Sequence, residues 1–282
     1  MAWMILAAAA AIAQTPGTTR ERPDAGLFPL ALHRSMELDD LDREIRRQHD
    51  VVLVKKSELA TTRKLARRGA VSPMDLEREE SDTRYQEAHE REMIAYRELK
   101  RYERDILARK VKADDAEAFK LLLNLLKRQE DMARVDLDFR TSTFQRLLEL
   151  KKRTAVSRDE EEAAEFDYHA SAASVALNQA RQAEVAMQLA IRTGERDFDR
   201  DRLSELERGY LKARVRYAEI QVAGAKSRLD RARDRAQGGG VSQEAIDALA
   251  HAYEDAKAEL ARERMELSNV KPPKPPTNVR AS

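Results

Sequence analysis

The tripeptide Ala70-Val71-Ser72 returns as Ala155-Val156-Ser157 and, with one change, as Gly240-Val241-Ser242, so that three serines stand 85 residues apart. A fixed period makes each segment a copy of another, and the segment has to be read as a copy before it is read as itself. Other positions keep the register. Ala88, Ala173 and Ala258 coincide, as do Leu59, Phe144 and Leu229, and in two copies Leu65 with Leu150, Asp82 with Asp167 and Ile106 with Ile191.

What each copy can be follows from what interrupts it. No proline lies between Pro73 and Pro272, glycine is sparse, 37% of residues are charged and only 5% are aromatic. This is the composition of long helices rather than of a thick globular core. The expected fold is all-α: three tandem long antiparallel α-helical hairpins of coiled-coil type, with arms near 34–68, 73–109, 116–153, 158–192, 200–237 and 243–270. Hairpin 1 spans 34–109, hairpin 2 spans 110–192 and hairpin 3 spans 193–270. At 1.5 Å of rise per residue each arm is about 50 Å long. Apolar residues such as Met93, Ile94, Leu99 and Ile106 in the second arm, and Val175, Leu177, Val185 and Leu189 in the fourth, recur at helical steps that suit a seam.

The turns have their own chemistry. Ser72 is placed to cap the second arm, with Pro73 at the first helical position and Asp75 three residues on. Ser157 with Glu160 forms a capping box, whereas Ser242 caps without one because Ala245 occupies the third position. Gly69 and Gly239 supply a left-handed residue at the end of the first and fifth arms, where the middle copy has Thr154. The lower turns, Lys110 to Asp115 and Arg192 to Arg200, carry Asp residues before the next arm, and Gly194 is a C-cap. Gly209 and Gly224 inside the fifth arm read as points of close helix contact.

At the N-terminus Met1 to Ala13 is an uncharged apolar run ending in small residues, the pattern of a cleavable export signal. Cleavage after Ala13 and a periplasmic location are expected. The run is too short for a membrane-spanning helix, which needs about 20 apolar residues, so the mature chain is expected to have no transmembrane segment. Residues 14–33 read as a linker and 271–282, with its Pro-Pro pairs, as an extended tail.

Several functions find no support. Basic and acidic residues number 52 and 51, and no basic stripe is free of acidic neighbours, which argues against nucleic acid as a partner. His33, His49, His89, His169 and His251 are scattered without metal-ligand spacing and read as surface residues. Gly238-Gly239-Gly240 follows a helix and lacks the Lys-Ser/Thr ending of a phosphate loop. No catalytic residue, metal site or cofactor is expected, and the chain is read as a non-enzyme.

The middle tip, Arg146-Leu147-Leu148-Glu149-Leu150-Lys151-Lys152-Arg153-Thr154-Ala155-Val156-Ser157, resembles the hairpin tip of periplasmic adaptor proteins, the membrane fusion proteins of the HlyD type. That family carries Arg, then Leu four residues later, then Ser seven after that, where it meets a TolC-type outer-membrane channel. Arg146, Leu150 and Ser157 match all three places. In the first copy Leu65 and Ser72 match, with Thr61 in place of Arg, and the run Leu65 to Leu76, Gly69 included, is similar to the family's usual tip; in the third Arg231 and Ser242 match, with Arg235 in place of Leu. The resemblance covers roughly residues 34–270 and implies an outer-membrane channel as partner. Family members normally add lipoyl-like and β-barrel domains, and no run of alternating β-branched residues here would build them. TolC-type channels share a Gly-x-x-Ser/Thr tip followed by Asp and Leu, as in Gly69 to Leu76, but their transmembrane strands have no counterpart here.

Three readings follow: a conduit component docking its tips on a channel, a periplasmic coiled-coil scaffold or spacer whose tips bind nothing, and a chaperone-like binder gripping clients between hairpins. Each is compatible with a homo-oligomer.

Overall fold

A computed structural model describes residues 37–112, 114–153, 156–237 and 240–270. The expected signal segment, the linker and the Pro-rich tail lie outside them. Among the described residues the chain is all-α. The helices among these residues are α1 (Leu38–Ala66), α2 (Pro73–Leu107), α3 (Asp115–Lys151), α4 (Arg158–Arg192), α5 (Arg200–Gln237) and α6 (Gln243–Asn269), which lie within a few residues of the arms read from sequence. None is long and apolar enough to cross a membrane.

The chain divides into two compact bodies, one containing residues up to Phe139 and Val185–Arg196, the other Arg140–Glu184 and the residues from Asp197 onward. In the first body α1 and α2 run antiparallel. Leu41 and Ile45 pack against Met93, Ala95 and Tyr96, and a charge ladder flanks this seam: Arg97 to Asp42 at 3.2 Å, Lys56 to Glu87 at 2.9 Å and Arg63 to Glu80 at 2.9 Å. Leu125 brings α3 into the same cluster. The start of α3 closes on the end of α4 through Phe119, Leu126 and Val185, with Leu189 alongside, and through an ion pair of Arg192 with Asp115 at 3.1 Å.

In the second body the upper part of α3 meets α4 through stacked Phe144 and Tyr168 rings, 5.7 Å between centroids. α5 and α6 pack through Leu229, Ala232 and Ile246, joined by Val241, Leu249 and Tyr253. The period is visible at the level of single contacts. Lys55 pairs with Asp82 at 2.9 Å, and the residues one period on, Arg140 and Asp167, pair at 2.6 Å. In the third copy Ala225 and Ala252 replace both members, so the pair is lost without stranding a charge.

The turns follow their expected chemistry. Gly69 has φ +72°, and the Ala70 N–H returns to the Leu65 carbonyl at 3.0 Å, the bond pattern of a left-handed helix stop. Gly194 has φ +75° with Glu195 N–H bonded to the Ala190 carbonyl. Asp114 accepts from Ala116 N–H at 2.8 Å and Asp199 from Arg202 N–H at 2.9 Å, capping α3 and α5. Gly239 and Thr154 lie outside the described residues. One turn departs from expectation: the place one period before Gly194 is Arg109, which adopts φ +55°. A side chain there crowds the following carbonyl at a cost of about 1 kcal/mol. Arg109→Gly is therefore expected to raise the unfolding free energy by about 0.5–1 kcal/mol, read by denaturant or thermal melts.

The two glycines of α5 divide. A Cβ on Gly224 would meet the Phe166 ring at 2.1 Å, whereas one on Gly209 would meet nothing within 4 Å. Close contact is correct for Gly224 alone; Gly209 borders a groove shared with Ala180, Ala183 and Leu206. Gly209→Ala should gain up to about 1 kcal/mol from helix propensity. Gly224→Ala should lose about 1 kcal/mol or more as the ring is displaced, and melting of the two variants in opposite directions checks both.

Candidate functional site

The hairpin tips are built from caps. Ser72 Oγ accepts from the Asp75 N–H at 3.1 Å and donates to Asp75 Oδ2 at 2.6 Å. At Ser157 the box closes in both directions: Glu160 N–H bonds to Ser157 Oγ at 3.2 Å, and Ser157 N–H bonds to Glu160 Oε2 at 3.1 Å. The Ser157 hydroxyl also donates to Glu160 Oε2 at 2.8 Å, and this bond, followed by that from the Ser157 N–H, holds the Glu160 carboxyl below the usual carboxylate range. Ser242 Oγ accepts from Ala245 N–H at 3.3 Å and has no reciprocal partner at that position. Each serine thus satisfies a helix-start N–H that would otherwise be orphaned.

Around these caps the side chains differ in what they have left to offer. Leu150 is 53% exposed and Leu65 39%, and both occupy the same place of the period. Met74 is also exposed, and Gly69 is open to solvent. Arg146 is half-buried and already engaged within the protein. Arg231 donates to the Asp159 carbonyl at 3.1 Å, and Arg235 pairs with the Asp159 carboxylate. Those two arginines therefore tie the end of α5 to the start of α4 and bring the second and third tips together within the second body.

Two buried polar groups were not legible as sites in the sequence. In the first body Glu92 is only 1% exposed; Gln129 Nε2 donates to its Oε1 at 3.5 Å, and His89 Nδ1 lies 3.4 Å from its Oε2. His89 is thus not the surface residue expected, because α2 has neighbours on two sides and the helix presents it inward. Tyr85 beside this group has its phenol pushed up, chiefly by burial and then by Asp136 and Glu92.

In the second body Arg214 pairs with Glu263 and, at 2.7 Å, with Glu266. It also lies 5.7 Å from the Tyr210 ring, whose centroid is 4.8 Å from the Arg181 guanidinium carbon. Arg181 pairs with Glu184 at 2.8 Å. This is a structural network: one cation shared by two acids inside a helix seam, with aromatic area beneath it. Among the described residues no group of three or more His, Asp or Glu is placed to hold a metal ion.

No family model, curated protein or solved structure matches this chain. The functional reading therefore rests on the tips and the seams themselves.

Burial pushes Glu263 up to about 7 from the ordinary value of 4.5, with Glu259 and Glu266 adding to the rise and Arg214 opposing it. A carboxyl that holds its proton more tightly when folded stabilises the fold fully below pH 4.5 and loses that contribution as pH rises through 7. Stability should therefore fall between pH 4.5 and 7, and Glu263→Gln should flatten that slope. At pH 8 the variant should unfold at higher denaturant than the parent, by about 1–2 kcal/mol. A variant less stable than the parent at pH 8 would show that the charged carboxylate is needed.

Proposed function

We propose that this chain is an exported, non-enzymatic helical-hairpin protein of a periplasmic efflux or secretion conduit, which docks its hairpin tips on a TolC-type outer-membrane channel. One observation carries the reading: at two tips the same leucine, Leu65 and Leu150, stands exposed beside a serine-capped turn. A capped turn loses little entropy on docking, and an apolar side chain held on it gains from burial. Basic residues Lys151, Lys152 and Arg153 follow Leu150 and would complement carbonyls or carboxylates at the end of another helix set.

Within this reading Leu150 and the Ser157 turn make the principal contact at the middle tip, and Leu65, Gly69 and Ser72 repeat it at the first. Arg146 supports the turn as well as the partner, being already engaged in the protein. At the third tip the docking surface is the Ser242 turn, because Arg231 is committed to Asp159. The scaffold reading has support of its own in that commitment and in the internal use of all three serines as caps.

A photo-crosslinker in place of Leu150, expressed in the native host, should give an adduct with an outer-membrane channel. Arg146→Ala with Leu150→Ala should reduce capture at a neighbouring label several-fold while Leu150→Ala alone leaves the melting temperature nearly unchanged. On the scaffold reading no channel adduct forms, and Ser157→Ala costs about 1 kcal/mol of stability with no other effect.

A further inference from the structure

Two seams join the second arm of one repeat to the first arm of the next, one in each body. In the first body α2 meets α3: Tyr96 and Leu125 share one apolar cluster, and Gln129 bonds to Glu92. In the second body α4 meets α5: Arg181 lies over Tyr210, and Phe166 lies against Gly224. Arg181 and Tyr210 stand one 85-residue period beyond Tyr96 and Leu125. The same seam is therefore built twice in the same register, once with apolar contact and once with a cation over a ring.

The chain carries both halves of a third such seam. On its second arms the seam side is marked by Ala88, Glu92 and Ala95 in α2, all buried, and by buried Ala173 and Leu177 in α4. The equivalent places in α6 are Ala258, Arg262 and Met265, all exposed, Met265 by 60%. On the first arms buried Leu125, Gln129 and Met132 of α3 correspond in α1 to half-buried Asp40 and Glu44 and exposed Arg47. Val54, 56% exposed, stands where α5 has Gly224.

We propose that these two faces bind each other between molecules, the α6 face of one copy against the α1 face of a second copy, in the register of the two internal seams. Three juxtapositions follow from that register. Arg262 comes opposite Glu44, as Glu92 is opposite Gln129, which makes an opposite-charge pair across the contact. His251 comes opposite Val54, as Phe166 is opposite Gly224. Glu266, paired with Arg214 in its own copy, comes opposite Asp40, paired with Arg43, as Arg181 is opposite Tyr210, and this like-charge pair is the weak point. Arg262 now bonds to Glu259 and Glu44 to Arg47, both on exposed helix surface, so re-pairing costs little. The contact is heterologous: the two faces differ, and each copy keeps one of each. It is independent of what the tips bind.

The test uses the full chain, which has no cysteine, in sedimentation equilibrium over a wide concentration range. Glu44→Arg or Arg262→Glu alone should weaken self-association about three- to tenfold, and the two together in one chain should restore it. Asp40→Leu should tighten it by a similar factor by removing the like-charge pair. Mixing chains bearing Glu44→Cys with chains bearing Arg262→Cys should give the mixed disulfide in preference to either self-disulfide. Circular dichroism of each variant should match the parent, since none of these sites is buried. A monomer at every concentration in both the parent and the Asp40→Leu variant overturns the proposal, as does a dominant Glu44→Cys self-disulfide, which would mean a two-fold contact instead.

Discussion

A helix with neighbours on two sides has to bury two faces, and the rest of this structure depends on how α2 and α4 meet that demand. One face of α2 closes on α1 through Met93, while the other carries Glu92 to Gln129 of α3. Such a helix leaves only a narrow stripe to water, marked in α2 by exposed Arg84, Arg91 and Glu98, and buries the rest of its circumference. The solution adopted is mixed: small alanines where backbones approach, and polar groups buried with partners where they do not. Ala88 and Ala173, fully or nearly buried at the same place of the period, are the fixed points of this arrangement.

The cost of burying charge is distributed differently in the two bodies. Glu92 accepts one bond from the Gln129 amide, while its other oxygen lies 3.4 Å from the His89 ring without a hydrogen bond, a thin set of partners for a carboxylate removed from water. Arg214 is served by two carboxylates and a ring. A surplus of acid in the second network and the burial around it raise Glu263. Ion pairs of this kind add little net stability compared with apolar packing but penalise any misaligned pairing strongly. In a chain built of copies, where a slip of register is an available error, such penalties favour the correct alignment.

Much of this was legible in the residues. The 85-residue period, the long proline-free arms and the Ser caps located six helices to within a few residues, because capping and periodicity are local and each turn repeats its chemistry. Seam chemistry was not legible. Periodicity along one helix shows which residues share a face but not which neighbour that face meets, so nothing in the sequence marked Glu92, Arg214 and Glu263, and His89 read as a surface histidine. The left-handed Arg109 was missed for another reason: glycine is the usual signal for that conformation, and only alignment with Gly194 across the period points to it. At the tips the sequence identified the caps correctly, whereas the orientation of Arg231 toward Asp159 depends on α4 lying beside α5.

One period before Phe166 and Gly224, which lie against each other, the sequence has Ser81 and Phe139, with the large and small residues exchanged between the arms. The register of the two seams would therefore key them in opposite senses. An arm carrying Ser81 set against an arm carrying Gly224 would leave a hole the size of a phenyl ring, and Phe166 set against Phe139 would put two rings in one place. Identical repeats would be free to pair in any order. Here a chain shortened by one whole period would keep its helices and its caps yet set Ser81 of one arm against Gly224 of another.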